Sequence, residues 1–287
     1  MLEKQHSSPS FGGVHTVQLS PGLEATYAID TLMLRPFGIN ERDLELDFSQ
    51  PSRPELVTDI LECCTTVASG KAADRSLLWQ LKVSTRIECL LRIINLDGAF
   101  DAALPVRCLN ESCLETVEVE LSLEELLNLQ RDSADSITVV CGEQTVQLRK
   151  PSGLDQLAWT SREFVTPQAA IEAMVKTLVV HSDESPAPGN TISLNDNSFS
   201  AIDRVMQEND PLVSFSLEVI CPYCETNSEF EPDLEALAIE RLRQSQRRLL
   251  STVHHLAEHY HWSEQQIFAV PHWRRLHYLK LIDKGRA

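Results

Sequence analysis

No apolar run in this chain is long enough to cross a membrane. The longest greasy segment, Ile171 to Val180, is too short for a span and carries Lys176. The first residues, MLEKQHSSPSFGG, contain no apolar leader stretch. Cations are scarce: 25 Lys and Arg against 42 Asp and Glu give a net charge of -17. That balance argues against broad binding to nucleic acid or membrane surfaces. A Gly-rich phosphate loop, a nucleophile elbow and a dinucleotide fingerprint are all missing, which removes the commonest signatures of phosphoryl, acyl and hydride transfer. Eight cysteines without a leader point to a reducing compartment, where metal binding outweighs disulfides. The expected location is the cytoplasm.

What is present is enough for a real core, as one large domain or two modest ones: 287 residues with an ordinary 43% hydrophobic content. The charge is uneven. From Arg241 onward nine Lys and Arg stand against Glu258, Glu264 and Asp283, so the tail is near +6 and the remainder near -23. Six of the nine histidines lie in the same tail. A basic helical end on an acidic body suggests docking to an acidic surface, its own or a partner's.

Hydrophobic spacing supplies most of the predicted elements. Residues 1–20 read as a loose arm, and Leu32–Phe48 mixes apolar and charged residues without a clear period. A helix is predicted from about Glu55 through Leu56, Ile60, Cys63, Cys64 and Val67, stopped by Gly70. Asp74 can cap a helix bearing Leu77, Leu78 and Leu81, and Ile87, Leu90, Leu91 and Ile94 form a second stripe. Ile137–Val140 and Thr145–Leu148 read as a hairpin. Thr166-Pro167 opens a helix running to about Val180, and Ser182–Asn190 reads as a linker. A short helix near Phe199–Gln207 and a strand over Val213–Ile220 follow. From Asp233 a long helix reaches about Tyr260. A Ser263–Gln266 capping box and Pro271 open the last two helices.

A fourteen-residue pattern occurs twice. From Cys113 it reads CLETVEVELSLEEL and from Cys224 it reads CETNSEFEPDLEAL, so that Glu118, Glu120, Leu123 and Glu124 match Glu229, Glu231, Leu234 and Glu235. Each copy has another cysteine just upstream, Cys108 or Cys221. The spacing predicts two metal knuckles, each followed by a strand and a helix start. Cys108, Cys113, Cys221 and Cys224 together offer the four thiolates of a tetrahedral structural zinc. The residue after each second cysteine is Leu114 or Glu225, where Gly would ease the turn.

Other chemistry-bearing residues have plainer readings. Cys63, Cys64 and Cys89 sit in apolar helical stretches and Cys141 in a hairpin, as small buried hydrophobes do. His255-Leu-Ala-Glu258-His259 fits the inverted zinc-peptidase pattern, but the carboxylates beyond it, Glu264 and Asp283, lie in a compact helical tail. Glu118, Glu120, Glu229 and Glu231 alternate along strands as a wet sheet face does. Trp273 with Arg274 and Arg275 suits an acidic protein surface, since Trp and Arg are favoured interface anchors.

The segments RSLLWQLKVSTRIECLL, the first knuckle with its acidic strand, VQLRKPSGLDQL, ENDPLVSFSLEVICPYC and RLLSTVHHLAEHYHWSEQQIFAVPHWRRLHYLKLI carry a resemblance over roughly residues 55 to 283. In this order they resemble the baseplate hub assembly chaperone family of T-even phage type, also encoded beside contractile injection systems. Residues 1–50 do not share it. The first knuckle departs by its longer gap, and both knuckles lack the usual Gly. The resemblance implies a non-enzymatic chaperone that binds baseplate or hub subunits while a contractile tail-like particle is built. Trp262, Trp273, Arg274, Arg275 and Tyr278 are then the candidate partner-binding residues, with no small-molecule substrate, nucleic acid or membrane partner. The alternatives are a permanent structural baseplate component, a zinc-ribbon nucleic-acid binder or a zinc peptidase. The expected fold is α+β: a poorly defined arm over residues 1–50, a body over 51–232 holding a small zinc-ribbon-like β unit, and a C-terminal helical module over 233–287.

Overall fold

A computed structural model describes residues 15–96, 102–130, 136–141, 144–180 and 196–286. Within it, residues 15–50 contribute side chains to the main core. Strands β1 (His15–Gln18) and β2 (Thr31–Leu34) pair antiparallel across α1 (Pro21–Tyr27), with Val17 opposite Leu32. Val17, Leu32, Leu34, Phe37, Leu46 and Phe48 are buried. Strands of four residues alternate only once or twice, too briefly to stand out as periodicity. After β2, charged residues gather on a short 3-10 helix (Glu41–Leu44). There the fully buried Asp43 accepts from both terminal nitrogens of Arg35 and from the backbone N–H groups of Gly38 and Asn40.

Helix α2 (Arg53–Cys64) ends before the predicted Gly70. Thr65, Thr66 and Val67 are all β-branched and leave the helix as β3 (Thr65–Val67), which pairs with β2. Gly70 instead makes the following turn at φ 77°. Helix α3 (Arg75–Gln80) is capped by Asp74, and α4 (Val83–Leu96) buries Ile87, Leu90, Leu91 and Ile94 as its stripe predicts. These elements form the main core. Leu234, Ala238, Ile239 and Leu242, from the first turns of α9 (Leu234–Tyr260), complete it. The helix expected to open a separate C-terminal module at residue 233 therefore begins inside the body.

A second core lies beside the first. The hairpin β6 (Ser136–Cys141) and β7 (Gln144–Arg149) sets Val139 opposite Val146. It is covered by α7 (Pro167–Leu178) and α8 (Asp196–Asn209) through Val175, Leu178 and Ile202. The linker read at Ser182–Asn190 lies outside the described residues. Between the cores, α6 (Gly153–Thr160) is capped by Ser152, and the buried Lys150 ammonium reaches the buried Asp210 carboxylate at 3.2 Å. Asp210 also shortens the next strand: its carbonyl accepts from Val213 and Ser214, so β8 spans only Leu217–Ile220.

Helix α9 is 27 residues long, about 40 Å at the usual rise. Past the main core it carries Leu256, which meets Ile267 of α10 (Glu264–Ala269) and Ile282 of α11 (His272–Arg286) in a small third core. The Ser263–Gln266 capping box is formed. Among the described residues no helix is long and apolar enough to cross a membrane.

Candidate metal centre

Each cysteine knuckle caps an antiparallel hairpin. The first sits between β4 (Ala102–Arg107) and β5 (Thr116–Leu121), and the second between β8 and β9 (Asn227–Phe230). The duplicated pattern is duplicated structure. Leu123 is the first residue of α5 (Leu123–Gln130), and its match Leu234 is the first residue of α9. Cys108 N–H donates to the Glu115 carbonyl at 2.8 Å and Cys221 N–H to the Thr226 carbonyl at 3.0 Å, equivalent bonds in the two copies. On both hairpins the inward residues meet: Val106 and Val117 face Val219, Ser228 and Phe230, leaving only about 10 Å³ between them.

This stacking brings the four sulfurs together. Cys108 Sγ stands 3.6 Å from Cys224 Sγ and Cys113 Sγ 3.8 Å from Cys221 Sγ, and all four sulfurs lie within 4.8 Å of one another. An ion held tetrahedrally by sulfurs at about 2.3 Å has edges of about 3.8 Å, so the quartet fits one metal ion without rearrangement. Cys108 and Cys221 are buried, Cys113 and Cys224 half-buried. Two residues that the repeat did not flag tie the knuckles across the site. Asn110 Nδ2 donates to Thr226 Oγ1 at 3.1 Å, and that hydroxyl lies 3.3 Å from Cys224 Sγ. Thr226 has Glu115 as its counterpart in the other copy, so the repeat is silent about it.

The thiols are electrostatically unequal. The Thr226 hydroxyl and then the Thr226 N–H draw Cys224 down to about 6. At Cys113 the Glu115 N–H pulls downward, but burial and the neighbouring thiols prevail and push it up to about 12. At Cys108 the Asn110 N–H likewise pulls down against burial and the Cys224 and Cys221 thiols, and the net shift is upward. One thiol drawn down beside two pushed up, Cys113 and Cys108, makes a site that sheds protons as it takes up a cation.

Leu114 and Glu225 occupy the left-handed region, at φ 54° and 58°. The turn at each knuckle therefore does ask for Gly. The left-handed conformation costs a side-chain-bearing residue roughly 1–2 kcal/mol, against which Gly costs about 0.5–1 kcal/mol in chain entropy. Leu114→Gly and Glu225→Gly should leave the melting temperature unchanged or slightly raised, whereas Leu114→Val should lower it. Calorimetric scans of the three variants decide the point, and a marked loss in both Gly variants would contradict it.

The remaining candidates are placed differently. Cys64 and Cys89 lie in the main core, where burial pushes both thiols up, and Cys63 is half-buried with the same upward shift. The side chain of Cys141 lies outside the described residues. His255 Nδ1 is 3.4 Å from the Ser251 hydroxyl, and His259 packs edge-on to Tyr260. Among the described residues, the cysteine quartet is the one group of three or more His, Cys, Asp or Glu close enough to share an ion.

Of the five partner-binding candidates, Trp273 is 61% exposed and Arg274 lies outward over the Tyr278 ring. Trp262 stacks on Tyr260 at 4.8 Å and meets Tyr278 at 5.4 Å, so these two mainly build the third core. Arg275, expected beside Arg274 on a partner surface, is instead 1% exposed. It lies over Phe268 and donates to the Gly38 carbonyl. Adjacent helix residues point about 100° apart, so an Arg-Arg pair cannot share one face. Compared with known proteins, the chain matches no family model, no curated protein and no solved structure.

Proposed function

We propose that the quartet Cys108, Cys113, Cys221 and Cys224 holds one zinc ion in a zinc-ribbon-like staple. We further propose that the protein is a non-enzymatic assembly factor that binds baseplate or hub subunits of a contractile tail-like particle. The observation that carries the first part is the set of four sulfurs within 4.8 Å. Four thiolates leave no open coordination position, the arrangement of a structural rather than a catalytic zinc. Tetrahedral sulfur also suits iron, so metal analysis should read one zinc per chain and no iron.

The second part is supported by where the resembling segments lie. The RSLLWQ segment forms α3 and leads into α4, RKPSGLDQL packs onto the start of α4 through the Val83 N–H on the Pro151 carbonyl, and NDPL holds Lys150. These segments converge on one junction from which β8 enters the second knuckle and α9 leaves it. In this reading the zinc joins two hairpins distant in sequence, and α9 carries the basic Trp-bearing end outward to a subunit. The double change Trp273→Ala, Arg274→Ala should leave the melting temperature within about 1 °C, because both side chains are outside the cores. It should abolish co-purification with a baseplate or hub subunit expressed alongside. Undiminished recovery of that subunit would remove the tail from the proposal.

A further inference from the structure

We propose that the outer end of the paired knuckles is a docking face for helix α11 of a second copy of this chain. Each of the four cysteines has a large apolar neighbour left in solvent. Leu109 follows Cys108, Leu114 follows Cys113, Ile220 precedes Cys221 and Tyr223 precedes Cys224. These four side chains are 46% to 68% exposed. Because the cysteine sulfurs lie within 4.8 Å of one another, all four leave from one small region at the metal end of the hairpins. Apolar residues scattered singly over a surface are ordinary, whereas such a group marks a contact face.

Charge decides what fits there. Residues 104–121 and 217–231 each hold four glutamates, all exposed, against the single cation Arg107. Glu111, Glu115 and Glu225 lie in or beside the knuckle turns themselves. The matching surface therefore presents apolar anchors among lysines and arginines.

Helix α11 carries that surface on its outward side. At 100° per residue, Trp273, His277, Lys280, Leu281 and Lys284 share an arc about 100° wide, and all five are exposed. Arg275 and Ile282, on the opposite side, are buried against the body. Asp283, on the flank of the arc, is the only acid of α11. Trp273 and Tyr223 both stay exposed, so within one copy the two faces do not cover each other. Both halves of the contact are thus on the chain, each with an aromatic residue of the kind favoured as an interface anchor. The faces differ, so the contact is head-to-tail: a dimer keeps one free face of each kind and can add further copies or close a ring. Patches only a few side chains across suit a weak, concentration-dependent contact. The proposal does not rest on the particle-assembly reading, and a subunit that takes α11 would compete with the second copy for it.

The test is sedimentation velocity of the full chain from low to high micromolar concentration. Wild type should pass from monomer to dimer and larger species, and high salt should weaken the association about tenfold or more. The tip variant Leu109→Ser, Tyr223→Ser and the tail variant Lys280→Glu, Leu281→Ser should each stay monomeric with an unchanged melting midpoint. Mixed in equal amounts they should form a dimer and nothing larger, since together they keep one intact face of each kind. Because the tip pair adjoins the cysteines, Glu111→Lys, Glu118→Lys serves beside it and should weaken self-association about tenfold with the apolar group intact. A wild-type chain that is monomeric throughout would overturn the proposal. So would self-association persisting in the tip or the tail variant, the result of a tip-to-tip or tail-to-tail contact. Loss of a co-expressed baseplate or hub subunit from the tip variant, with wild type monomeric, would overturn it in favour of that subunit.

Discussion

Replacing Cys221 and Cys224 together by serine should strip the chain of zinc and lower its melting temperature by about 10 °C. Loss of a structural metal belongs to the short list of changes costing about 4 kcal/mol or more, and for chains of this size each kcal/mol moves the midpoint by roughly 2–4 °C. The geometry explains why the loss is large. Two-stranded hairpins are marginal by themselves, and beside the sulfurs Val106, Val117, Val219 and Phe230 are the apolar residues that line the gap between these two. In the proposed zinc-bound form the ion would join the two hairpins directly through all four sulfurs. The three cores contain none of the four cysteines, so the variant should keep its far-UV spectrum while losing the cooperative upper part of its melt. Acid should mimic the substitution. Metal binding requires thiolates, so affinity falls as pH falls, and Cys224, drawn down to about 6 by Thr226, is the last of the shifted thiols to take up a proton. Zinc release should thus steepen below about pH 6, read by a colorimetric chelator. A wild-type chain that contains no metal, and melts where the double serine variant melts, would end the staple.

The knuckles were legible because ligand chemistry restricts residue type and spacing. The same restriction, applied twice, let Leu123 and Leu234 mark the two helix starts. Long stripes were legible too: α4 and α9 follow their spacing closely, and Asp233 and Ser263 cap where expected. Three kinds of feature were hidden. Short strands such as β1 and β2 carry too few alternations, so the N-terminal segment read as an arm although Leu32 and Leu34 lie at the centre of the main core. The end of α2 was set by tertiary pairing of Thr65–Val67 with β2, which overrode a continuing helical stripe. Buried charge was the third kind. Nothing local distinguishes Arg275 from Arg274, or Arg86 from an exposed helical arginine, because their burial depends on elements far away in the chain.

Arg86 leads to the other large expected effect. Gly153→Ala should lower stability by about 2–3 kcal/mol, an overpacking cost near the top of the usual range. That corresponds to a fall of roughly 4–12 °C in melting temperature. A methyl group at Gly153 would lie 2.5 Å from Arg86 Nη1 and 2.8 Å from its Cζ. The end of a long side chain ordinarily yields to such a contact, but this one is held. Arg86 is fully buried, donates to Leu78 O, Pro54 O and Thr58 Oγ1 at 2.9, 2.7 and 3.0 Å, and lies over the Trp79 ring. Moving it would break bonds to α2 and α3 at once. Because the guanidinium joins those helices to α4 and α6, the clash also disturbs the contact between the first two cores. Arg86→Met should itself be destabilising, since it removes the guanidinium donors from the Leu78 carbonyl, the Pro54 carbonyl and the Thr58 hydroxyl. In that background, however, Gly153→Ala should cost little, giving a coupling energy of about 1–2 kcal/mol in a double-mutant cycle. Denaturant melts of the four proteins measure it, and additive effects would show that Gly153 is small for a reason other than room for Arg86.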